Sequence, residues 1–391
     1  MSCHQEIPDE RLSAPAKGME HDVHTKHGFS CSDCHGGDRS AVDDFVAAHS
    51  DSRGFKGSPD ALTEPGLCAG CHSDPVFMKK YNPNIGVDQL SLFRTSVHGI
   101  KNSQGDTKVA HCTSCHGVHG IRSSDDPLSP VYPVNVPTTC SKCHSDETYM
   151  EPYRVPTDQM SEYSTSVHGN ALLEEGERTA PACNDCHGNH GAVPPGIASV
   201  SEVCGQCHSA QLALFSASPH KEAHEAMDLP ACEVCHGNHE VTRPDDSMLG
   251  VSEGAVCAEC HDEDSSGHAV ASKLRELIDG LREKHESVAA LVNTAEQAGM
   301  TMDEAAFEMN EGRSALLRAR TAVHAFSVEA VEMEVGSGQE HLLKAETSAS
   351  AALSEISLRR KWFVGLAILG VVMALALIRK MRDADRAVLR G

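Results

Sequence analysis

Eight C-x-x-C pairs, each followed directly by His, constrain this chain more than any other feature. They use sixteen of its 17 Cys, whereas His accounts for only 25 of the 391 residues. C-x-x-C-H is the attachment sequence of c-type haem: two thiols bond to one porphyrin edge and the adjacent imidazole binds the iron. Zinc ribbons also use C-x-x-C pairs but need no His after each pair. The pattern therefore predicts eight covalently bound haems.

The motif positions give the residues that would hold these haems. The predicted thioether cysteines are Cys31, Cys34, Cys68, Cys71, Cys112, Cys115, Cys140, Cys143, Cys183, Cys186, Cys204, Cys207, Cys232, Cys235, Cys257 and Cys260. The predicted proximal iron ligands are His35, His72, His116, His144, His187, His208, His236 and His261. A further Cys-His dipeptide, Cys3-His4, stands near the start of the sequence.

The composition indicates that haem must supply much of the interior of residues 1–264. Aromatic residues make up only 4% of the chain, and they usually contribute much of a protein core. Residues 1–264 are rich in Gly, Pro, Ser and Asp, and they lack sustained hydrophobic periodicity. We expect a mostly irregular, short-helical domain packed around haem, with little β-structure.

The motifs form a repeat in which C-x-x-C-H-G is followed by C-x-x-C-H-S or a variant of it. In two copies a Ser-Val-His-Gly element precedes the pair, and in a third copy the element is Ser-Pro-His. A second His follows the first proximal His by three residues in these three copies. The repeating unit is thus a pair of haems, used four times.

The repeat also suggests the second axial ligands. Residues 1–268 hold thirteen His outside the motifs, not counting His4, so every haem can have His on both faces. Fixed offsets within the repeat favour His98, His119, His168, His190, His220 and His239. His27, His49 and His268 are less constrained candidates, and His24, His111 and His224 are held in reserve.

Charge excludes one class of partner. The net charge is −23, and almost all of it falls on residues 1–264. Such an acidic surface repels nucleic acid and anionic membranes. It favours basic protein partners or cations.

The C-terminal third has a different character. Residues 265–360 carry apolar residues at helical spacing and predict a helical hairpin or three-helix stalk. We expect the second helix to run to about Val335, with a turn at Gly336-Ser337-Gly338. Residues 361–379 predict one transmembrane helix flanked by basic residues, and 380–391 a short cytoplasmic tail.

Residues 3–268 resemble the doubled-CXXCH class of multihaem cytochromes c, through the paired motifs and the SVHG and CHGxH elements. The resemblance implies low-potential electron transfer in anaerobic respiration, between a quinol-oxidising membrane complex and a terminal reductase or other cytochrome. It also implies a periplasmic or extracellular haem domain, which the C-terminal helix would anchor to the inner membrane as a single-pass protein. The alternative is a multihaem nitrite, hydroxylamine or tetrathionate oxidoreductase with one open-faced haem.

The N-terminus leaves two alternatives. Residues 1–30 have no apolar export segment, although c-type haem is attached outside the cytoplasm. Met1-Ser2-Cys3-His4 matches the end of a C-x-x-C-H motif, so we expect a ninth haem site and a natural chain that begins upstream. The other interpretation is a stray N-terminal cysteine.

Overall fold

The computed structural model describes residues 2–193 and 200–388. Within these ranges the regular structure is entirely helical. The side chain of Cys3 and residues 389–391 of the expected tail lie outside the described part. By its internal contacts the chain divides into two units, residues 1–207 with 229–243 and residues 208–228 with 244–391.

The first unit consists of short helices joined by loops. Its α-helices are Ser2–Gln5, Glu10–Gly18, Val23–Lys26, Cys31–His35, Phe45–Ala48, Glu64–His72, Pro75–Met78, Gln89–Thr95, Val97–Ser103, Cys112–His116, Val136–His144, Glu147–Met150, Gln159–Thr165, Val167–Gly169, Cys183–His187, Val200–Gly205 and Glu233–His236. Short 3₁₀ turns and one π turn, Asn170–Glu174, complete it. This agrees with the irregular, short-helical domain expected from the sequence.

The four C-x-x-C-H-G motifs share one kind of helix, and two of the other motifs share a second kind. Each C-x-x-C-H-G motif forms a helix of four or five residues that ends at a glycine with positive φ, for example Gly117 at 78°. L-residues with a side chain rarely adopt this conformation, so the glycine stops the helix. The motifs ending at His72 and His144 instead close nine-residue helices with Pro in the first turn.

Few apolar side chains are buried in the first unit. Met19, Met78, Val109, Met150 and Leu172 are its larger buried aliphatic residues, and they are scattered along the chain. A unit of this size with so little buried apolar area cannot offset its conformational entropy by side-chain burial alone.

The second unit has a conventional helical core. Its helices are Ser209–Ser216, Pro219–Met227, Ser266–Gln297, Asp303–Ala322 and Val328–Val388, with 3₁₀ turns at Asp246–Met248, Val256–Glu259 and Val323–Ala325. The last three α-helices pack together and fully bury Ile278, Leu281, Val331 and Leu342. This is the expected three-helix stalk.

The expected end of the second stalk helix was wrong. The helix stops at Ala322, and Phe326 turns the chain with φ of 50°. The Gly336-Ser337-Gly338 stretch lies inside the third helix. A Cβ at position 338 would stand 3.0 Å from the Leu281 side chain, so this glycine permits close helix packing.

The third helix continues without a break into the apolar C-terminal stretch. It is the one described helix that is long and apolar enough to cross a membrane, over Val328–Arg382. Side chains from Trp362 to Ile378 are exposed, as a lipid-facing segment requires.

Candidate haem-binding sites

Pairs of imidazoles facing each other are the main feature of the motif region. Six proximal His rings within the described residues each lie 5.9–6.1 Å, centroid to centroid, from a second His ring. The pairs, proximal residue first, are His35 with His119, His72 with His24, His116 with His190, His144 with His98, His187 with His239 and His261 with His220. Metal–imidazole bonds of about 2 Å place two trans rings roughly 6 Å apart around one metal ion.

The pairs fall into two geometric classes that follow the repeat. The proximal His of the first motif in a repeating unit pairs with a His of the next repeating unit, and the two rings are within 25° of parallel. The proximal His of the second motif pairs with a His of its own repeating unit, and the angle between the ring planes is 67–86°. A metal group bound by the first class would therefore tie successive repeats together.

A serine cap positions the histidines of the Ser-Val-His-Gly elements. The Ser96 and Ser166 hydroxyls accept hydrogen bonds from the amides of Gly99 and Gly169, each at 2.9 Å. A Cβ at either glycine would lie 1.9 Å from a backbone oxygen of the preceding helix, which explains why glycine stands there. The cap holds His98 in the first turn of its helix, facing His144.

Hydrogen bonds at Nδ1 fix several of these rings. His35 Nδ1 donates to the Gly57 carbonyl at 2.7 Å, and His24 Nδ1 donates to the Asp22 carboxylate at 2.9 Å. Asp22 is buried and also accepts the amide of Ile121 at 2.8 Å. Such bonds set the tautomer and leave Nε2 for a metal, as is usual for metal-binding histidines.

Burial keeps most of the paired imidazoles neutral. It lowers the pKa of His72, His98, His116, His119, His144, His190, His220 and His239. Neutral imidazole is the form that binds a metal. The facing pairs, their hydrogen bonds and the thiols beside them thus fit haem c.

Comparison with known families gives the same assignment. The cytochrome c3 family model matches residues 23–145, and the model of the doubled CXXCH motif matches residues 174–213. This chain is a multihaem cytochrome c. No curated protein matches the chain.

The attachment sites of the cytochrome follow one another closely in chain order. The first Cys of the second motif in a repeating unit lies beside the first Cys of the next repeating unit, in the pairs Cys68 with Cys112, Cys140 with Cys183 and Cys204 with Cys232. Within a repeating unit, the second Cys of the first motif lies near both cysteines of the second motif. Burial raises the thiol pKa of Cys34, Cys115 and Cys186, and these two nearby thiols raise the pKa further. Seven successive motifs, from Cys31 to Cys235, therefore form a continuous series.

A buried carboxylate supports one junction in the series. Glu64 begins the helix of the second motif and accepts hydrogen bonds from the amide and hydroxyl of Thr113, both at 2.8 Å. The His111 ring also bonds to Glu64. Carboxylate and sulfur atoms of Glu64, Cys68 and Cys112 lie within 4.8 Å of one another. Sequence analysis missed Glu64 because nothing in the repeat marks it.

The other predicted ligands are distributed over both units. His27 lies against Tyr81, and His268 occupies the first turn of the helix Ser266–Gln297. His168 shares the serine cap of His98. His208 immediately precedes the helix Ser209–Ser216, and His236 ends a motif helix.

Aromatic side chains pack around the pair formed by His220 and His261. The Phe326 ring stacks on His220 at 3.7 Å, and His220 faces His261 at 5.9 Å. Phe215 and His224 lie beside this group. The turn that begins the third stalk helix therefore helps to position a predicted axial ligand.

Proposed function

We propose that this electron-transfer cytochrome carries electrons along a series of bis-histidine haems, from a quinol-linked membrane donor to a periplasmic or extracellular acceptor in anaerobic respiration. The observation that carries the proposal is the facing histidine pair, repeated at six motifs. The haems supply reversible one-electron chemistry. Two histidines per iron leave no coordination position for a substrate.

The chain organises these sites in two ways. Neighbouring cysteines bring consecutive attachment points together, and ligands contributed by the next unit fix the spacing between repeats. The negative charge of residues 1–264 would attract basic faces of redox proteins. We infer that the donor and the acceptor dock through such faces.

The spin state of the iron tests the ligation. In the six paired sites the oxidised cytochrome is expected to be low-spin, and the reduced form should not bind carbon monoxide there. His98→Ala should create one high-spin, carbon monoxide-binding haem, because it leaves the iron of His144 open on one face. Electron paramagnetic resonance and carbon monoxide difference spectra measure this.

His27→Ala is the matched control for His98→Ala. The His27 ring packs on Tyr81 and belongs to none of the six pairs, so its removal should leave the six paired irons with both ligands. Carbon monoxide binding by the unmutated cytochrome at a haem of one of the six pairs would contradict the proposal. It would favour a reductase with an open-faced haem.

We propose that the apolar segment anchors the cytochrome as a single-pass protein, with the haem region on the periplasmic or extracellular side. Deleting residues 362–391 should release a soluble, fully haem-loaded protein, because this removes the exposed apolar side chains. Deleting only residues 383–391 keeps the span and should leave the protein in the membrane. Membrane fractionation with haem staining tests both, and retention of the first variant in membranes would refute the anchor.

A further inference from the structure

His4 and His49 form another facing pair, outside the eight complete motifs. Their ring centroids are 6.0 Å apart, which is the separation found in the six pairs described above. The planes cross at 48°, between the two classes of the repeat. His4 lies in the helix Ser2–Gln5, and His49 directly follows the helix Phe45–Ala48.

Both rings have the hydrogen bonding of metal-binding histidines. His4 Nδ1 donates to the carbonyl of Leu12 at 3.3 Å, and His49 Nδ1 donates to the carbonyl of Phe45 at 2.9 Å. The Nε2 atoms are the nitrogens that remain for a metal. Each of the two rings thus has Nδ1 held by a backbone carbonyl and Nε2 left for a metal.

The surroundings of His49 suit a large apolar group. The Phe45 and Phe55 rings lie 4.5 and 4.9 Å from the His49 ring. Phe45 and Val46 are each 76% exposed, in a chain that has few aromatic residues. Exposed apolar side chains grouped around a polar ligand usually mark a binding surface.

We propose that His4 and His49 are the axial ligands of a further haem, joined to the chain through Cys3. Cys3 precedes His4 as the last cysteine precedes the proximal His in all eight motifs. Attachment needs no outside oxidant. The Cys3 thiol adds across a haem vinyl group: a carbon–sulfur bond forms, the thiol hydrogen goes to the other vinyl carbon, and the double bond becomes single.

This haem would extend the series at its N-terminal end. Phe55, which packs on His49, is followed by Lys56, whose amide donates to the carbonyl of His35 at 2.8 Å. One loop thus contacts both the proximal residue of the first motif and the proposed ligand. The inference rests on the proposed haem function of the eight motifs and adds a ninth site to it.

Peptide mass mapping of the full chain tests the attachment. The tryptic peptide that ends at Arg11 is expected to carry one haem, and Cys3→Ser should lower the haem content by one. The peptide that contains Cys31 and Cys34 is the internal reference and should carry a haem in either case. A haem-free N-terminal peptide beside a loaded reference would overturn the ninth site alone, whereas a haem-free reference would overturn the haem assignment itself.

A ligand variant tests the pairing separately. His49→Ala should keep the haem on the N-terminal peptide and produce one new carbon monoxide-binding, high-spin haem. His21→Ala is a suitable control, because His21 is a nearby exposed histidine in the 3₁₀ turn Met19–His21. No new carbon monoxide signal in His49→Ala, or the same signal in His21→Ala, would refute His49 as the ligand.

Discussion

Protein produced without haem is expected to lose the fold of residues 2–193 while the three stalk helices persist. The first unit buries few apolar side chains, so haem must supply most of its interior, whereas the stalk fully buries residues such as Ile278 and Leu342. Replacing the sixteen motif cysteines by Ala prevents attachment. Hydrogen exchange should then be fast throughout residues 2–193 and slow within Ser266–Gln297 and Asp303–Ala322.

A variant that weakens the stalk and keeps the haems distinguishes haem loss from general destabilisation. Ile278→Ala in the haem-loaded protein should cost about 2–5 kcal/mol of stalk stability, because it leaves a cavity in a packed core. Its haem content should stay unchanged and its first unit should remain protected. Slow exchange across residues 2–193 of the haem-free protein would show that side chains alone suffice to fold that unit.

Much of the fold could be predicted because composition and periodicity separate the two kinds of structure. The absence of periodicity in the motif region agrees with its short helices, and the apolar spacing after residue 265 agrees with the long ones. The turn between the second and third stalk helices was misplaced. Glycines at 336 and 338 favour a loop, but the chain stays helical there, and close packing of Leu281 explains the glycine at 338.

The sites could be predicted only as far as the repeat is regular. Fixed offsets in the repeat predict five of the six non-motif histidines paired above, but the sequence favours His27 over His24, and the structure pairs His24 with His72. The first copy of the repeat lacks the Ser-Val-His-Gly element, so spacing does not distinguish these two histidines. The signal that distinguishes them is Asp22, which caps the helix Val23–Lys26 and binds the His24 ring. Which unit supplies each ligand depends on three-dimensional packing, and periodicity does not encode it.

The series of attachment sites predicts where electron flow can be interrupted. A photoreductant attached at Val76→Cys, an exposed position close in sequence to the second motif, injects electrons beside His72. His239→Met raises the potential of the fifth haem, because axial ligands tune haem potentials over about 0.8 V, and it makes that haem a distinguishable acceptor. Removing the third haem with Cys112→Ala and Cys115→Ala should slow transfer to this acceptor by orders of magnitude.

The control removes an equivalent haem beyond the acceptor. Cys204→Ala with Cys207→Ala deletes the sixth attachment site, which follows the fifth in the series, so transfer from position 76 should keep its rate. Transient absorption at the acceptor band measures both variants, and mass spectrometry confirms one haem lost in each. Equal rates with and without the third haem would mean that electrons bypass the chain-ordered series. Slowing in both variants would mean that haem loss disturbs the whole unit, which hydrogen exchange would show directly.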